Sequence, residues 1–153
     1  MPTEFRLSFF GDAQIQRTLL RFTQGTLDMR PAWEQLARRF RTSEIRQFAS
    51  QGAHASGGWA PLSPRYAAWK ARHYPGRKIL VREGHLKRSL TQRPFGIEIL
   101  EPSFMVIGSN VSYGAYHQRG GGHLPRRRPV ELTEAERRAW VRVIQRRIVT
   151  GGS

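Results

Sequence analysis

Residues 113–132, YGAYHQRGGGHLPRRRPVEL, bring together two histidines (His117, His123), three consecutive glycines (Gly120, Gly121, Gly122) and three consecutive arginines (Arg126, Arg127, Arg128). Glu131, Glu134 and Glu136 follow closely. Imidazoles and carboxylates are the groups that hold a metal ion or trade protons near neutral pH. Glycine runs let a backbone approach phosphate, and guanidinium forks pair with carboxylates or phosphates. Each chemistry makes its own demand on spacing.

His117 and His123 stand six residues apart with three glycines between them, which excludes a same-face helical pair, and no metal-binding helix motif is present. His54, His73 and His85 join no cluster, and no triad or dyad is visible. The simpler reading puts His117 in a packed turn and His123 in an exposed loop. A metal-dependent hydrolase built on the two stays open as a third reading. RGGGHLPRRRP lacks the Lys-Ser/Thr ending of a phosphate loop and does not pass directly from a buried strand into a helix, so it is no nucleotide motif.

Charge limits the partners. The 153 residues carry 26 Lys and Arg against 11 acidic residues, a net charge of +15. Only Lys70, Lys78 and Lys87 are lysines, which leaves 23 arginines. Such a surface attracts polyanions or acidic proteins through its long-range field. Nucleic acid is one such partner, with Arg126–Arg128, Lys87-Arg88, Arg137 and the four-spaced Arg138, Arg142 and Arg146 as phosphate contacts. The aromatics, however, follow core-like periods rather than alternating with the basic cluster as stacking platforms, and no helix-turn-helix, zinc-finger or RNA-recognition signature occurs. The competing reading is protein docking: Leu-Pro-Arg-Arg-Arg-Pro is held extended by its prolines and presents arginine forks to an acidic groove.

The elements around this stretch can be read from periodicity. Phe5, Leu7 and Phe9 alternate as in a strand over 3–10, and Asp12 caps a helix over 13–24 carrying Ile15, Leu19 and Phe22. Pro31 opens a helix to about Ala49 with Trp33, Leu36, Ala37, Phe40 and Phe48 as its apolar stripe. Residues 50–58, SQGAHASGG, read as a loop. Ser63-Pro64 begins a short helix that Pro75-Gly76 stops, and 83–91 forms another with Leu86 and Leu90. Residues 95–109 read as two strands around a Glu101-Pro102-Ser103 turn, the second a nearly continuous buried strand. A helical turn is expected at 112–118. Thr133 to Glu136 matches a capping box opening a long C-terminal helix with Trp140, Val143, Ile144 and Ile148 buried. The order β-α-α-α-α-β-β-α predicts an α+β fold, a small mostly antiparallel sheet packed with several helices. Length favours one domain over 1–150, with a flexible loop at 118–128 and a frayed tail at 151–153. Without cysteine there is no disulfide, thiol catalysis or cysteine–zinc site, and no apolar run approaches the roughly 18 residues of a membrane span, so the expectation is a soluble protein.

Five blocks carry a resemblance. They are Trp59, Pro61, Leu62 and Ser63; Ile79, Leu80, Gly84, Leu86 and Ser89; Gly108-Ser109; Tyr113, His117, Gln118 and Gly120; and Pro125, Arg128 and Pro129 before Leu132-Thr133. In this order, over about residues 30–150, they resemble the phage virion morphogenesis family, the tail-completion proteins of Mu-like and related tailed phages. The loop HLPRRRP is more basic than the family pattern. The resemblance implies no enzyme activity and no cofactor or metal. It implies a structural subunit that completes the tail and joins it to the head, a neck or tail-completion subunit or a tail terminator, assembled in the host cytoplasm and kept in the virion tail or neck. It also implies a homo-oligomeric ring, a hexamer, with tail tube and head–tail connector proteins as partners and any DNA contact non-specific. On this reading Trp59, Leu62, Gly84, Leu86, Tyr113, His117, Gln118 and Pro129 define the fold. Arg119, Gly120–Gly122 and Arg126–Arg128 form a docking loop, and Arg138, Arg142 and Arg146 a basic helix edge.

Overall fold

The computed structural model describes residues 13–151. The strand expected over 3–10 and the Asp12 cap lie outside them. The described chain runs through α1 (Ala13–Thr23), α2 (Arg30–Ala49), α3 (Pro64–His73), α4 (His85–Thr91), β1 (Ile97–Leu100), β2 (Met105–Gly108), α5 (Ser112–Arg119) and α6 (Glu134–Thr150). This is an α+β fold with a long C-terminal helix.

Local chemistry explains the boundaries. Pro31 occupies the first turn of α2, where its missing N–H costs nothing. Ser63 caps α3 by accepting from the Tyr66 N–H. At α6 both halves of the capping box form: Thr133 Oγ1 accepts from the Glu136 N–H at 3.1 Å, and Glu136 Oε2 accepts from the Thr133 N–H at 2.8 Å. Gly151 closes α6 in the left-handed region and its carbonyl accepts from Arg21, so the chain is anchored one residue further than the expected fraying.

Helix α2 is the spine. On one side Phe40 and Phe48 pack with Trp59, Val81, Leu86 and Leu90; on the other Ala32 and Leu36 pack with Leu27, Met29 and Val143. Trp140 of α6 touches both clusters and joins them.

The hairpin pairs Ile97 with Gly108 and Ile99 with Val106, antiparallel. Its burial corrects the sequence reading. Ile97, Ile99, Phe104 and Val106 are 37–50% exposed rather than buried. Two strands have two faces, and only one is covered by the helices. Glu98 alternates to that inner face, where it pairs with Arg41 of α2 and with Arg93, and Arg93 also reaches Glu34 at 2.9 Å. The tip is tied to the start of α2 by Met29 N–H to Pro102 O, 2.9 Å, and Trp33 Nε1 to Glu101 O, 3.0 Å. Phe22 of α1, expected on a buried stripe, is likewise exposed, while Thr18 is buried.

One group works against the core. Glu44 lies one turn from both Phe40 and Phe48, on the apolar stripe of α2, and is fully buried. Neither carboxyl oxygen has a hydrogen-bond partner. Burial, reinforced by the charge of Glu136, pushes its pKa up to about 9. The folded protein therefore holds a proton that the unfolded chain releases near its ordinary 4.5. The contribution of Glu44 to stability is fully present below that value and is lost as pH rises towards about 9. By neutral pH the loss amounts to roughly 3 kcal/mol. Glu44→Gln should flatten this slope between pH 6 and 8.5 and stabilise the protein by about 2 kcal/mol at the upper end. Urea unfolding at both pH values checks this, and an unchanged slope in the variant would show that Glu44 is not its source.

Candidate functional site

Helix α5 and the segment after it position the residues that the sequence singled out. Gly114 lets α5 lie directly on α4: a Cβ there would come within 2.8 Å of Leu86 Cδ1. Gly120 ends the helix at φ +68, and a Cβ on it would meet the Arg126 backbone at 2.9 Å. Gly121 and Leu124 then exchange both backbone hydrogen bonds, at 3.0 and 2.9 Å. The three glycines thus make a closed turn that sends the chain back along α5.

The returning segment is laced to the body. Gln118 pairs with Val130 through both ends of its amide, donating to the carbonyl at 2.8 Å and accepting from the N–H at 3.1 Å. The Arg127 N–H donates to His117 O at 2.9 Å. The carbonyl of Arg128 accepts from Trp59 Nε1 at 2.8 Å and from Gln47 Nε2 at 3.1 Å. Trp59 itself sits edge-on to Phe48, with ring centres 5.3 Å apart. Pro129 is buried, Leu62 half-buried, and Gly84 takes φ +90 at the start of α4.

The three consecutive arginines do not act together. Arg126 is exposed, its Nε donating to Gln118 O. Arg128 is half-buried and pairs with Glu131 at 2.8 Å. Arg127 is only 5% exposed, its guanidinium donating to Ala60 O at 2.6 Å and Pro61 O at 2.7 Å. It fastens the loop to the chain before α3 and is not presented outward, contrary to the docking role expected of the whole triplet. Arg119 remains exposed, beside the ring of Tyr116. On α6 Arg138, Arg142 and Arg146 are all exposed and make no ion pair among the described residues.

Beneath the loop lies a cavity of about 470 Å³ between α3, α5 and the chain leading into α4. Tyr113 and His117, one turn apart on α5, line it with their rings 6.2 Å apart, and His123 reaches it from the loop. Burial lowers the His117 pKa, helped by the charge of Arg127, so its imidazole is neutral at pH 7. Lys70, which the sequence reading passed over, also lines this cavity and is 4% exposed. Its place on α3 among exposed residues gave no apolar period to mark it. No group of three histidine or acidic side chains able to hold a metal occurs among the described residues. None of their helices is long and apolar enough to cross a membrane.

Losing the strap should be measurable. Arg127→Met removes two charge-assisted hydrogen bonds and should lower stability by about 2 kcal/mol. The neighbouring Arg126→Met should stay within about 0.5 kcal/mol of the parent. Urea titration of the two variants decides; equal losses would mean that Arg127 is no better anchored than its exposed neighbour.

Comparison with known proteins gives a family match. The model of the phage virion morphogenesis family matches residues 11–148. No curated protein and no solved structure matches.

Proposed function

Because this chain belongs to the phage virion morphogenesis family, we propose that it is a structural subunit that completes the tail and joins it to the head, acting as a ring of copies. Membership carries a role in virion assembly. The position in the neck, the ring and the contacts go beyond membership.

One observation supports the ring above others. Residues 95–118 contain no lysine or arginine, in a chain with 26 of them, and include Glu98 and Glu101. This same stretch holds seven large exposed apolar side chains: Phe95, Ile97, Ile99, Phe104, Val106, Tyr113 and Tyr116. Two copies at +15 each repel one another over most of their surfaces. They can approach where the repulsion is absent and apolar area is available to bury, at about 25 cal/mol per Å². The open face of the hairpin meets both conditions, and among the described residues its outer strand edges are unpaired as well. A ring needs a head-to-tail contact in which this face meets a different surface of the next copy.

The arginines then serve the other contacts. Arg119, Arg126 and the edge of Arg138, Arg142 and Arg146 are the exposed cations that would meet acidic faces of tube or connector subunits. A basic nucleic-acid-binding protein is the alternative, since the same edge suits phosphates; merely non-specific phosphate contact should collapse between ~50 and ~200 mM salt, whereas an intended nucleic-acid ligand should stay bound.

Light scattering at ~200 mM salt, on the protein alone and with purified tail tubes, tests the reading. The expected result is a discrete oligomer, alone or on the tube, and Val106→Arg should abolish it while leaving circular dichroism unchanged. A Val106→Arg protein that assembles like its parent would remove the hairpin from the interface. A parent that stays monomeric, ignores tubes and holds one class of nucleic acid tightly at this salt would replace the reading by the alternative.

A further inference from the structure

The cavity beneath the loop contains an imbalance that the fold does not resolve. Lys70 and Arg127 are 4% and 5% exposed, and neither forms an ion pair among the described residues. Lys70 spends one of its three N–H donors on Lys78 O, at 2.5 Å. Arg127 uses Nε and Nη2 on two carbonyls and leaves Nη1 without a hydrogen bond among the described residues. His117 adds a buried Nδ1 with no partner. The one acid on the cavity wall, Glu83, is already committed to Arg82 at 3.1 Å and His85 at 2.9 Å. Backbone carbonyls satisfy hydrogen bonds but do not cancel charge, so two cations remain sunk with no carboxylate paired to either.

The walls select the kind of anion. Leu62, Tyr66, Val81 and Leu124 make them largely apolar, and Leu80 among them holds φ +58, a strained conformation for a leucine. A nucleic-acid backbone offers successive phosphates and asks for a row of cations on an open surface. Here the cations converge at one sunken place with greasy sides.

We propose that this cavity receives an acidic side chain of a partner polypeptide, its carboxylate seated among Lys70, Arg127 and His117 and its apolar neighbour against Tyr66 and Tyr113. The proposal rests on the assembly reading only for supposing the partner to be another virion protein. The carboxylate supplies the missing charge, and Arg127 Nη1 beside the two remaining N–H donors of Lys70 suits its two oxygens. Lys70 and His117 are depressed by burial and by the charge of Arg127, so an arriving anion favours their charged forms.

The test uses the whole chain and needs no tail. In an NMR titration at ~200 mM salt, the capped peptide acetyl-Gly-Leu-Glu-Gly-amide is compared with its Gln counterpart, phenyl phosphate and a short oligothymidylate. The Glu peptide should give saturable shifts centred on Lys70 and His117. It should also raise the pH at which the His117 ring titrates, against a background of Arg82, Glu83, His85, His123 and Arg127. The Gln peptide should bind roughly tenfold more weakly or worse. Lys70→Met should abolish the His117 response with the melting curve retained; should that variant not fold, the Glu/Gln comparison on the parent decides alone. Equal response to both peptides, or shifts scattered over Arg138, Arg142 and Arg146, overturns the proposal. So does preferential filling of the cavity by phenyl phosphate or the oligonucleotide, which would make it a phosphate site. All these outcomes are independent of whether the protein forms a ring.

Discussion

Scarcity of negative charge governs how this molecule is held together. With 26 cations and 11 acids, most lysines and arginines have no carboxylate available. The fold turns instead to main-chain oxygen. Arg147 donates twice to Asp28 O, Arg21 to Gly151 O, Lys78 to Ala49 O and Arg126 to Gln118 O, besides the bonds of Lys70 and Arg127 already described. Most of these tie segments far apart in the chain, and charge assistance makes each stronger than a neutral hydrogen bond. They stitch helix ends and loops without consuming acids. Their cost is that the charge itself is never neutralised, so the folded subunit keeps a strong positive field. That field discourages self-association wherever arginines are exposed and leaves buried cations waiting for an anion from outside.

The few acids are spent where two elements must be fixed in angle. Glu98 joins the hairpin to α2 through Arg41 and continues through Arg93 to Glu34. Glu136 works twice at the start of α6: it completes the capping box and meets His54 at 2.9 Å. Burial raises its pKa, but the Thr133 N–H and His54 outweigh burial and hold it below the ordinary value, so the charge persists at neutral pH. Its unfavourable effect on Glu44 is part of the reason that Glu44 stays protonated. One carboxylate in this region is charged because it is bonded, and its neighbour is neutral because it is not.

Most helices were legible in the sequence because their signals are local. Ser63-Pro64, Pro31 and the Thr133–Glu136 box act within one turn, and the structure places α3, α2 and α6 accordingly. What escaped depends on which face of an element is covered. Ile97 and Ile99 alternate as a strand should, but alternation cannot tell which face the helices cover, and here they point outward. The triplet Arg126–Arg128 read as one basic unit, yet an extended segment turns successive side chains to opposite sides, so Arg127 faces in between two neighbours that do not. That alternation follows from the prolines at 125 and 129 and was available from the sequence. Glu44 was available too, four residues from Phe40 and four from Phe48. Lys70 was not, since only the packing of two distant segments buries it.

The spacing Tyr-x-x-x-His-Gln-x-Gly also acquires a physical meaning. Tyr113 and His117 are four apart and share the face of α5 that lines the cavity. Gln118, the next residue, lies about 100° further round the helix, where its amide bonds Val130 and fixes the returning segment. Gly120 supplies the positive φ that lets the chain turn back, bringing Arg127 across the top of His117. A change at Gly120 would therefore displace both the closure of the loop and the cation whose charge acts on His117. Closing the loop and charging the cavity are one structural event, so a partner that seats an anion there would also tighten the strap that holds Arg127 in place.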